Sequence, residues 1–132
     1  LIMAQRLLRK VCKKCAKKRK ITKEELSKFK KVLAHLPDRV ELVAELNEKA
    51  ALAEAKGCAE CHGGYSGRVA VMELLEVNDE LERLILKSPA ESEVREAAVR
   101  GGMVSMTQDA VIKILRGATT VEEAERILGA IE

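Results

Sequence analysis

The four cysteines of this chain fall into two C-x-x-C pairs, Cys12 with Cys15 and Cys58 with Cys61. In each pair, a tight turn can present both sulfur atoms to one ion, and two such turns complete the tetrahedral set that structural Zn²⁺ sites prefer. The pairs are separated by 42 residues (16–57), more than the roughly 15–20 of the shortest zinc-ribbon spacing. The spacing therefore predicts a folded insert whose two ends meet at a metal ion.

We expect one structural zinc ion bound by Cys12, Cys15, Cys58 and Cys61. Four thiolates fill a tetrahedral site, so no catalytic zinc and no catalytic residue are expected. Other chemistries stay open. The run from Cys58 to His62 matches the C-x-x-C-H pattern of haem attachment but leaves the first pair unexplained. Disulfides or a thiol redox pair are a second alternative, and iron held by four thiolates is a third. We expect His62 to be a turn residue or a hydrogen-bond donor behind the ligands.

Large side chains for a hydrophobic core are scarce, since the 132 residues include one Phe, one Tyr and no Trp. A small aliphatic core favours an additional staple such as a metal. No signal peptide and no apolar run of about 18 residues is visible, so we expect a cytoplasmic protein whose thiols stay reduced. Because Met3 lies inside an apolar segment that begins at Leu1, we expect the chain to be a piece of a longer protein.

Two helices are predicted between the cysteine pairs. Thr22 and Glu25 have the spacing of a capping box and open a helix that Pro37 ends. Asp38 can cap a second helix that runs to about Lys56, followed by a glycine. Together they predict a helical hairpin. The expected apolar stripes are Leu26, Phe29, Leu33 and Leu36 on the first helix, and Val43, Leu46, Ala50 and Ala53 on the second.

The chain after the second cysteine pair predicts a strand and then four helices. Residues 68–77, rich in Val and Leu and bounded by turn residues, predict a largely buried strand. The helices are expected to open at Asn78, at a capping box from Ser88 to Glu91, at Ser105 and at Thr120. Residues 1–11 are apolar or mixed, and their pattern alone does not separate strand from helix.

Charge is distributed unevenly along the chain. Residues 1–31 hold 13 Lys or Arg against two Glu, and the remaining 101 residues hold 11 basic against 19 acidic side chains. The basic segment indicates either a binding surface for nucleic acid or an intramolecular partner for the acidic part. Aromatic residues for base stacking are almost absent, so nucleic acid is the weaker hypothesis. The many Glu residues fall on helix caps and polar faces, where solvated surface is expected.

Phosphate-binding chemistry is missing from the sequence, which has neither a G-x-x-x-x-G-K-[ST] loop nor a G-x-G-x-x-G turn. With two histidines and no hydrolase arrangement, the chain alone is not expected to be a self-sufficient enzyme.

A series of separated motifs nevertheless carries a resemblance. Ala4-Gln-Arg-Leu-Leu-Arg-Lys-Val-Cys12 leads into the first cysteine pair, and Gly57-Cys-Ala-Glu-Cys61 carries the second. These are followed by Gly64-Tyr-Ser-Gly-Arg68, the segment VAVMELL over 69–75, Gly102-Met103, Ser105-Met-Thr-Gln-Asp109 and Gly117-Ala-Thr-Thr-Val-Glu-Glu123. Over essentially the whole chain, the series resembles the hexameric ATPases of type II secretion and type IV pilus assembly.

The resemblance implies a structural zinc on the four cysteines and a strand over Ala4–Arg9, antiparallel to Arg68–Val77. The expected fold is α+β and mostly helical: a short antiparallel β-hairpin with an inserted, zinc-bound helical hairpin, followed by a C-terminal helical bundle. The expected divisions are the end of an ATPase core (1–11), a tetracysteine insert (12–67), and a strand with a C-terminal helical subdomain (68–132).

The resemblance also implies a function for the parent protein. The chain would be the C-terminal, zinc-binding part of a motor ATPase, with ATP and Mg²⁺ bound elsewhere in the parent. Its expected partners are the rest of the ATPase, neighbouring subunits of the hexamer and platform proteins of the inner membrane, to which the cytoplasmic motor would be peripheral. The alternative is a free-standing zinc module that binds nucleic acid through its basic N-terminal segment.

Overall fold

The computed structural model describes residues 1–42 and 46–132 and confirms the α+β class. The described strands and helices are, in chain order, β1 (Ile2–Val11), β2 (Lys17–Lys20), α1 (Lys23–Leu33), β3 (Ala51–Glu54), β4 (Tyr65–Leu75), α2 (Asp79–Ile85), α3 (Glu91–Arg100), α4 (Met106–Leu115) and α5 (Val121–Leu128).

Strands β1 and β4 form the antiparallel hairpin that the resemblance implied. The register runs from Ile2 opposite Leu75 to Arg9 opposite Arg68, and it shifts between Arg9 and Val11. Side chains alternate between the two faces of a strand. On the inner face Leu8 and Val71 are fully buried. The hairpin thus contributes one face to the core. Its end with the register shift lies next to the cysteines.

The predicted second helix between the cysteine pairs is wrong. Residues 38–42 and 46–50 contain no helix, and Ala51–Glu54 is strand β3. The part of the prediction that falls on 43–45, including Val43, lies outside the described residues. Strand β3 pairs antiparallel with β2, from Lys17 opposite Glu54 to Lys20 opposite Ala51. Strand β2 was not predicted from the sequence.

Tertiary pairing explains this outcome. The Ala-rich segment has a high intrinsic helix propensity, but propensity is a weak prior that long-range contacts override. In the strand, Leu52 is fully buried and belongs to the same apolar cluster as Phe29 of α1. The β2–β3 ladder also brings the two ends of the insert together, because Lys17 lies opposite Glu54.

The predicted first helix of the insert is present as α1, with the expected capping box. The Glu25 amide donates to Thr22 Oγ1 at 3.1 Å, and the Thr22 amide donates to Glu25 Oε2 at 2.9 Å. Leu26, Phe29 and Leu33 form its buried face, as predicted for three members of the stripe. The helix ends at Leu33, before Pro37, so Leu36 lies beyond it.

We expect Thr22→Ala to lower the free energy of unfolding by about 1 kcal/mol, because the Glu25 amide loses its side-chain acceptor. Urea unfolding at a fixed excess of Zn²⁺ measures this, with Thr107→Ala as the control, since Thr107 lies within α4 and caps no helix. A loss no larger than that of the control would contradict the capping role.

The C-terminal helices follow their predicted caps with one exception. Asn78, Ser105 and Thr120 each accept a hydrogen bond from the amide three residues later. Helix α3, however, begins at Glu91, and its N-cap residue is Ala90. The Ala90 amide donates to Glu93 Oε2 at 2.8 Å. Ser88 does not cap it, because Ser88 closes the turn after α2: its φ is 53° and its amide donates to the carbonyl of Ile85.

One apolar cluster joins the hairpin, the insert and the C-terminal helices. It contains Leu8 and Val71 of the hairpin, Phe29 and Leu52 of the insert, and Val111 and Ile114 of α4, among others. Helix α4 therefore contacts both small sheets, through β4 of one and β3 of the other. Within the described residues, every helix is too short or too polar to cross a lipid bilayer.

Candidate metal centre

The structure brings all four predicted ligand residues together. The sulfur atoms of Cys12, Cys15, Cys58 and Cys61 all lie within 4.8 Å of one another. Two of the separations are 3.7 Å, between Cys15 and Cys61, and 3.5 Å, between Cys58 and Cys61. Four sulfurs at the Zn–S distance of about 2.3 Å around a tetrahedral centre stand about 3.8 Å apart. The four cysteines are therefore positioned to hold a metal ion.

Each cysteine pair lies in a turn that connects a strand of one sheet to a strand of the other. Strand β1 ends at Val11 and leads directly into Cys12, and β2 begins at Lys17, shortly after Cys15. Strand β3 returns from the insert and leads to Cys58, and β4 begins at Tyr65, after Cys61. Because β1 pairs with β4 and β2 with β3, the two turns meet at the junction of the two sheets.

Backbone contacts lock the two turns to each other. The Cys12 amide donates to the carbonyl of Gly64 at 2.8 Å, and His62 and Tyr65 exchange two backbone hydrogen bonds. Gly64 has φ +92°, and a Cβ there would lie 2.6 Å from the Cβ of Ala55. A glycine at this position is therefore required by both conformation and space. His62 itself is exposed in this turn and lies outside the group of four sulfurs.

The local environment separates the thiols electrostatically. Desolvation, together with hydrogen bonds to neighbouring thiols, raises the pKa of Cys15 to about 12. Desolvation also opposes ionisation of Cys61, but the Cys58 backbone, the Cys58 thiol and the Gly64 backbone outweigh it and lower the pKa of Cys61 to about 7. The Cys58 amide lies 3.2 Å from the Cys61 sulfur. The turn thus favours a thiolate at Cys61 and a protonated thiol at Cys15 in the metal-free chain.

Part of the basic segment is folded against acidic side chains. Arg19 contacts Glu25 at 2.6 Å and Glu122 of α5 at 3.6 Å. Lys14 forms an ion pair with Glu60, across the two cysteine turns. Lys10, Lys13 and Lys14 line a groove beside Cys12, where they can offset the net charge of −2 that four thiolates would leave around a divalent metal ion.

A buried carboxylate at the edge of the site was not predicted. Glu123 of α5 is fully buried. Its Oε1 accepts from the backbone amide of Arg9 at 2.9 Å, and its Oε2 accepts from Nε and Nη2 of Arg9 at 2.9 and 2.6 Å. Arg126 donates to both oxygens at 2.8 Å. Sequence reasoning had assigned the Glu residues to solvated surface, and only tertiary packing distinguishes this one.

Further contacts join the beginning of α5 to β1 and β4, the two hairpin strands next to the cysteine turns. The Arg9 guanidinium lies 4.3 Å from the centre of the Tyr65 ring, the Tyr65 hydroxyl is 2.8 Å from Thr120 Oγ1, and Thr119 Oγ1 donates to the Arg9 carbonyl at 2.9 Å. We call this set the α5 clasp: Arg9, Tyr65, Thr119, Thr120, Glu123 and Arg126.

The charge on Glu123 is strongly favoured. Burial disfavours the ionised carboxylate, but hydrogen bonds from Arg126 and Arg9 outweigh that effect and lower the pKa of Glu123 to about 2. A depressed pKa means that the ion pairs stabilise the fold above pH 4.5, and that this contribution is lost as the pH falls towards 2. The clasp is therefore fully charged at neutral pH.

Comparison with known proteins gives a consistent family assignment. The model of the type II/IV secretion system protein family matches residues 1–126. The type IV pilus assembly ATPase PilB of Thermus thermophilus is 35% identical over 123 residues, which are 92% of this chain and 13% of that protein. The type II secretion system protein E of Xanthomonas campestris is 33% identical over 126 residues, 96% of this chain and 20% of that protein. The chain thus spans a fifth or less of these two relatives.

Proposed function

Because the chain belongs to the type II/IV secretion system protein family, we propose that it is the C-terminal, zinc-binding part of a hexameric motor ATPase for secretion or pilus assembly. The observation that carries the proposal is the match over 92–96% of this chain to relatives several times its length that are named as a pilus assembly ATPase and a secretion system protein. ATP and Mg²⁺ would bind in the remainder of the parent protein.

The donor set supports zinc as the metal. All four donors are cysteine sulfurs, and the separations of 3.5 and 3.7 Å suit a tetrahedral ion of that size. Bound there, zinc supplies a cross-link between the two cysteine turns and no chemistry on a substrate, because four thiolates leave no open coordination position. The four cysteines would hold the ion, and the backbone of Gly64 holds the two turns in register.

The outer face of the β1–β4 hairpin supports attachment to a larger body. Met3 and Leu7 of β1 and Leu74 of β4 are 61%, 48% and 45% exposed and lie on one face, since Met3 is opposite Leu74 in the ladder. An apolar sheet face of this kind usually packs on another layer. We propose that the nucleotide-binding core of the parent covers it.

The outer edge of β1 supports the same attachment. In an antiparallel pair, alternate residues direct their backbone groups away from the partner strand. Arg9 does so, since its amide and carbonyl contact Glu123 and Thr119. By the same alternation Met3, Gln5 and Leu7 direct their backbone groups outwards, where a neighbouring strand of the parent can pair. Motion of the core would then reach the zinc module through β1, and the module would pass it to neighbouring subunits or to the membrane platform.

The test uses the full-length gene product. We expect it to contain a G-x-x-x-x-G-K-[ST] loop upstream of Leu1 and to hydrolyse ATP, and a product lacking both would refute the proposal. We further expect Leu7→Glu to reduce ATP hydrolysis at least tenfold while one zinc per chain is retained. Leu86→Glu is the matched control, because Leu86 is also apolar and 81% exposed but lies after α2. Equal activity in the two variants would contradict the attachment face.

A further inference from the structure

We propose that Glu123 is a positioning residue for the tetracysteine site, and that the α5 clasp couples metal binding to the packing of α5. The inference rests on the metal site of the proposed function. It goes beyond that function because it assigns a part in metal binding to a residue of α5. Glu123 is far along the chain from the cysteines and is not one of the four sulfur donors.

The α5 clasp contacts the two strand ends next to the cysteine turns, which are the end of β1 and the beginning of β4. Arg9 stands three residues before Cys12, and Tyr65 stands four residues after Cys61. Both are tied to the beginning of α5, Arg9 through Glu123 and Tyr65 through Thr120. One helix thus contacts both strand ends and, together with the hydrogen bond between the Cys12 amide and the Gly64 carbonyl, fixes the relative position of the two turns.

The contacts fall where β1 is irregular. The register of the β1–β4 ladder shifts between Arg9 and Val11, so the ladder alone leaves the direction of the chain into Cys12 less well determined. There the Arg9 amide and carbonyl are held by Glu123 and Thr119, and the Val11 amide donates to the carbonyl of Ala118 at 3.0 Å. These are the contacts that direct the chain into Cys12, itself buried.

The carboxylate is suited to this task because it satisfies three groups at once. It accepts from a backbone amide and from two guanidinium groups, with no exposure to solvent. A glutamine of the same size keeps one acceptor oxygen but turns an NH₂ group towards a guanidinium, and it leaves two half-exposed guanidinium groups without their counter-charge. The Arg9 segment would then sample other conformations.

The metal affinity is sensitive to such a change in the conformations of the Arg9 segment. When only a fraction of molecules holds the four sulfurs in the binding geometry, the apparent dissociation constant rises in inverse proportion to that fraction. Linkage makes the effect reciprocal, so that bound metal must also stabilise the clasped position of α5. A residue that merely stabilises α5, without setting the cysteine turns, would lower global stability and leave the metal affinity of the folded protein unchanged.

The chain offers a matched control. Glu73 of β4 is also a carboxylate that ties a helix to the hairpin, since its Oε2 accepts from the amide of Met106, the first residue of α4, at 3.2 Å. It lies opposite Ala4, towards the end of the hairpin away from the cysteines. Glu73→Gln therefore removes the same charge from a helix-to-strand contact without touching the clasp.

The experiment titrates Co²⁺ into the reduced chain, follows the visible absorption of the cobalt–thiolate complex, and then displaces Co²⁺ with Zn²⁺ to obtain both affinities. Circular dichroism verifies that each variant is folded. We expect Glu123→Gln to lower the affinity for both metals by at least about fivefold, which is the lower end of ordinary coupling between sites. The affinities of Glu73→Gln should stay within twofold of the wild-type values. Hydrogen exchange should also show that Zn²⁺ raises protection of the amides in α5.

Three results would overturn the coupling: an unchanged affinity in folded Glu123→Gln, an equal loss in Glu73→Gln, or no effect of Zn²⁺ on α5 exchange. Should Glu123→Gln fail to fold, Tyr65→Phe decides, because it removes only the hydroxyl contact to Thr120. A loss of about twofold or more supports the coupling, and an unchanged affinity overturns it. A wild-type chain that binds neither metal would instead reject the metal site itself, and the coupling with it.

Discussion

Removal of the metal should unfold the insert between the two cysteine pairs. Structural Zn²⁺ contributes about 10–16 kcal/mol in small domains at neutral pH, comparable to the about 5–15 kcal/mol by which a whole domain is stable. Closing a flexible loop the length of this insert costs about 3 kcal/mol, and the four-residue strands β2 and β3 cannot offset it alone. Without metal, the four sulfurs within 4.8 Å of one another lose the ion that joins them.

We expect a chelator in excess, or Cys12→Ser, to abolish hydrogen-exchange protection in β2 and β3 and to lower the melting temperature by at least about 10 °C. Lys13→Ser is the matched control, because Lys13 is an exposed residue of the same turn and offers no thiolate. Elemental analysis should give one zinc per chain in a colourless protein. Unchanged protection after complete removal of the metal would contradict the structural role, and a coloured protein would favour haem or iron.

Phe29→Ala should cause the second large loss. Phe29 is 1% exposed and is the largest side chain among the fully buried residues. It lies in the cluster that joins the insert to α4 and the hairpin, so its removal opens a cavity at the point where three parts of the fold meet. Truncation of a buried Phe costs about 3–5 kcal/mol, the sum of lost transfer energy and cavity formation.

Urea unfolding of the zinc-loaded protein measures this effect, at a fixed excess of Zn²⁺ because bound ligand adds to apparent stability. Phe29→Leu is the conservative comparison and should cost about 1–2 kcal/mol, since most of the cavity is refilled. A loss below 1 kcal/mol in Phe29→Ala would show that the insert packs independently of the C-terminal helices.

Local signals account for what could be predicted. The capping residues Thr22, Asn78, Ser105 and Thr120 each contact an amide three residues away, so the information lies within one helical turn. Ser88 failed as a cap for an equally local reason, since the end of α2 already uses it in a left-handed conformation. The hairpin of β1 and β4 followed from the family resemblance, because the apolar pattern of residues 1–11 fits either a helix or a strand.

Contacts between distant segments account for what could not be predicted. The chain by itself determined the four metal-binding candidates and the family, because the cysteine spacing and the motif series are written in the residues. Tertiary structure alone decided that Ala51–Glu54 is a strand rather than a helix, since Leu52 gains full burial and a partner in β2. It alone decided that Glu123 is a buried anion, since its partner Arg9 lies 114 residues away. Backbone propensity is a property of neighbours along the chain, whereas burial and charge pairing depend on which segments meet.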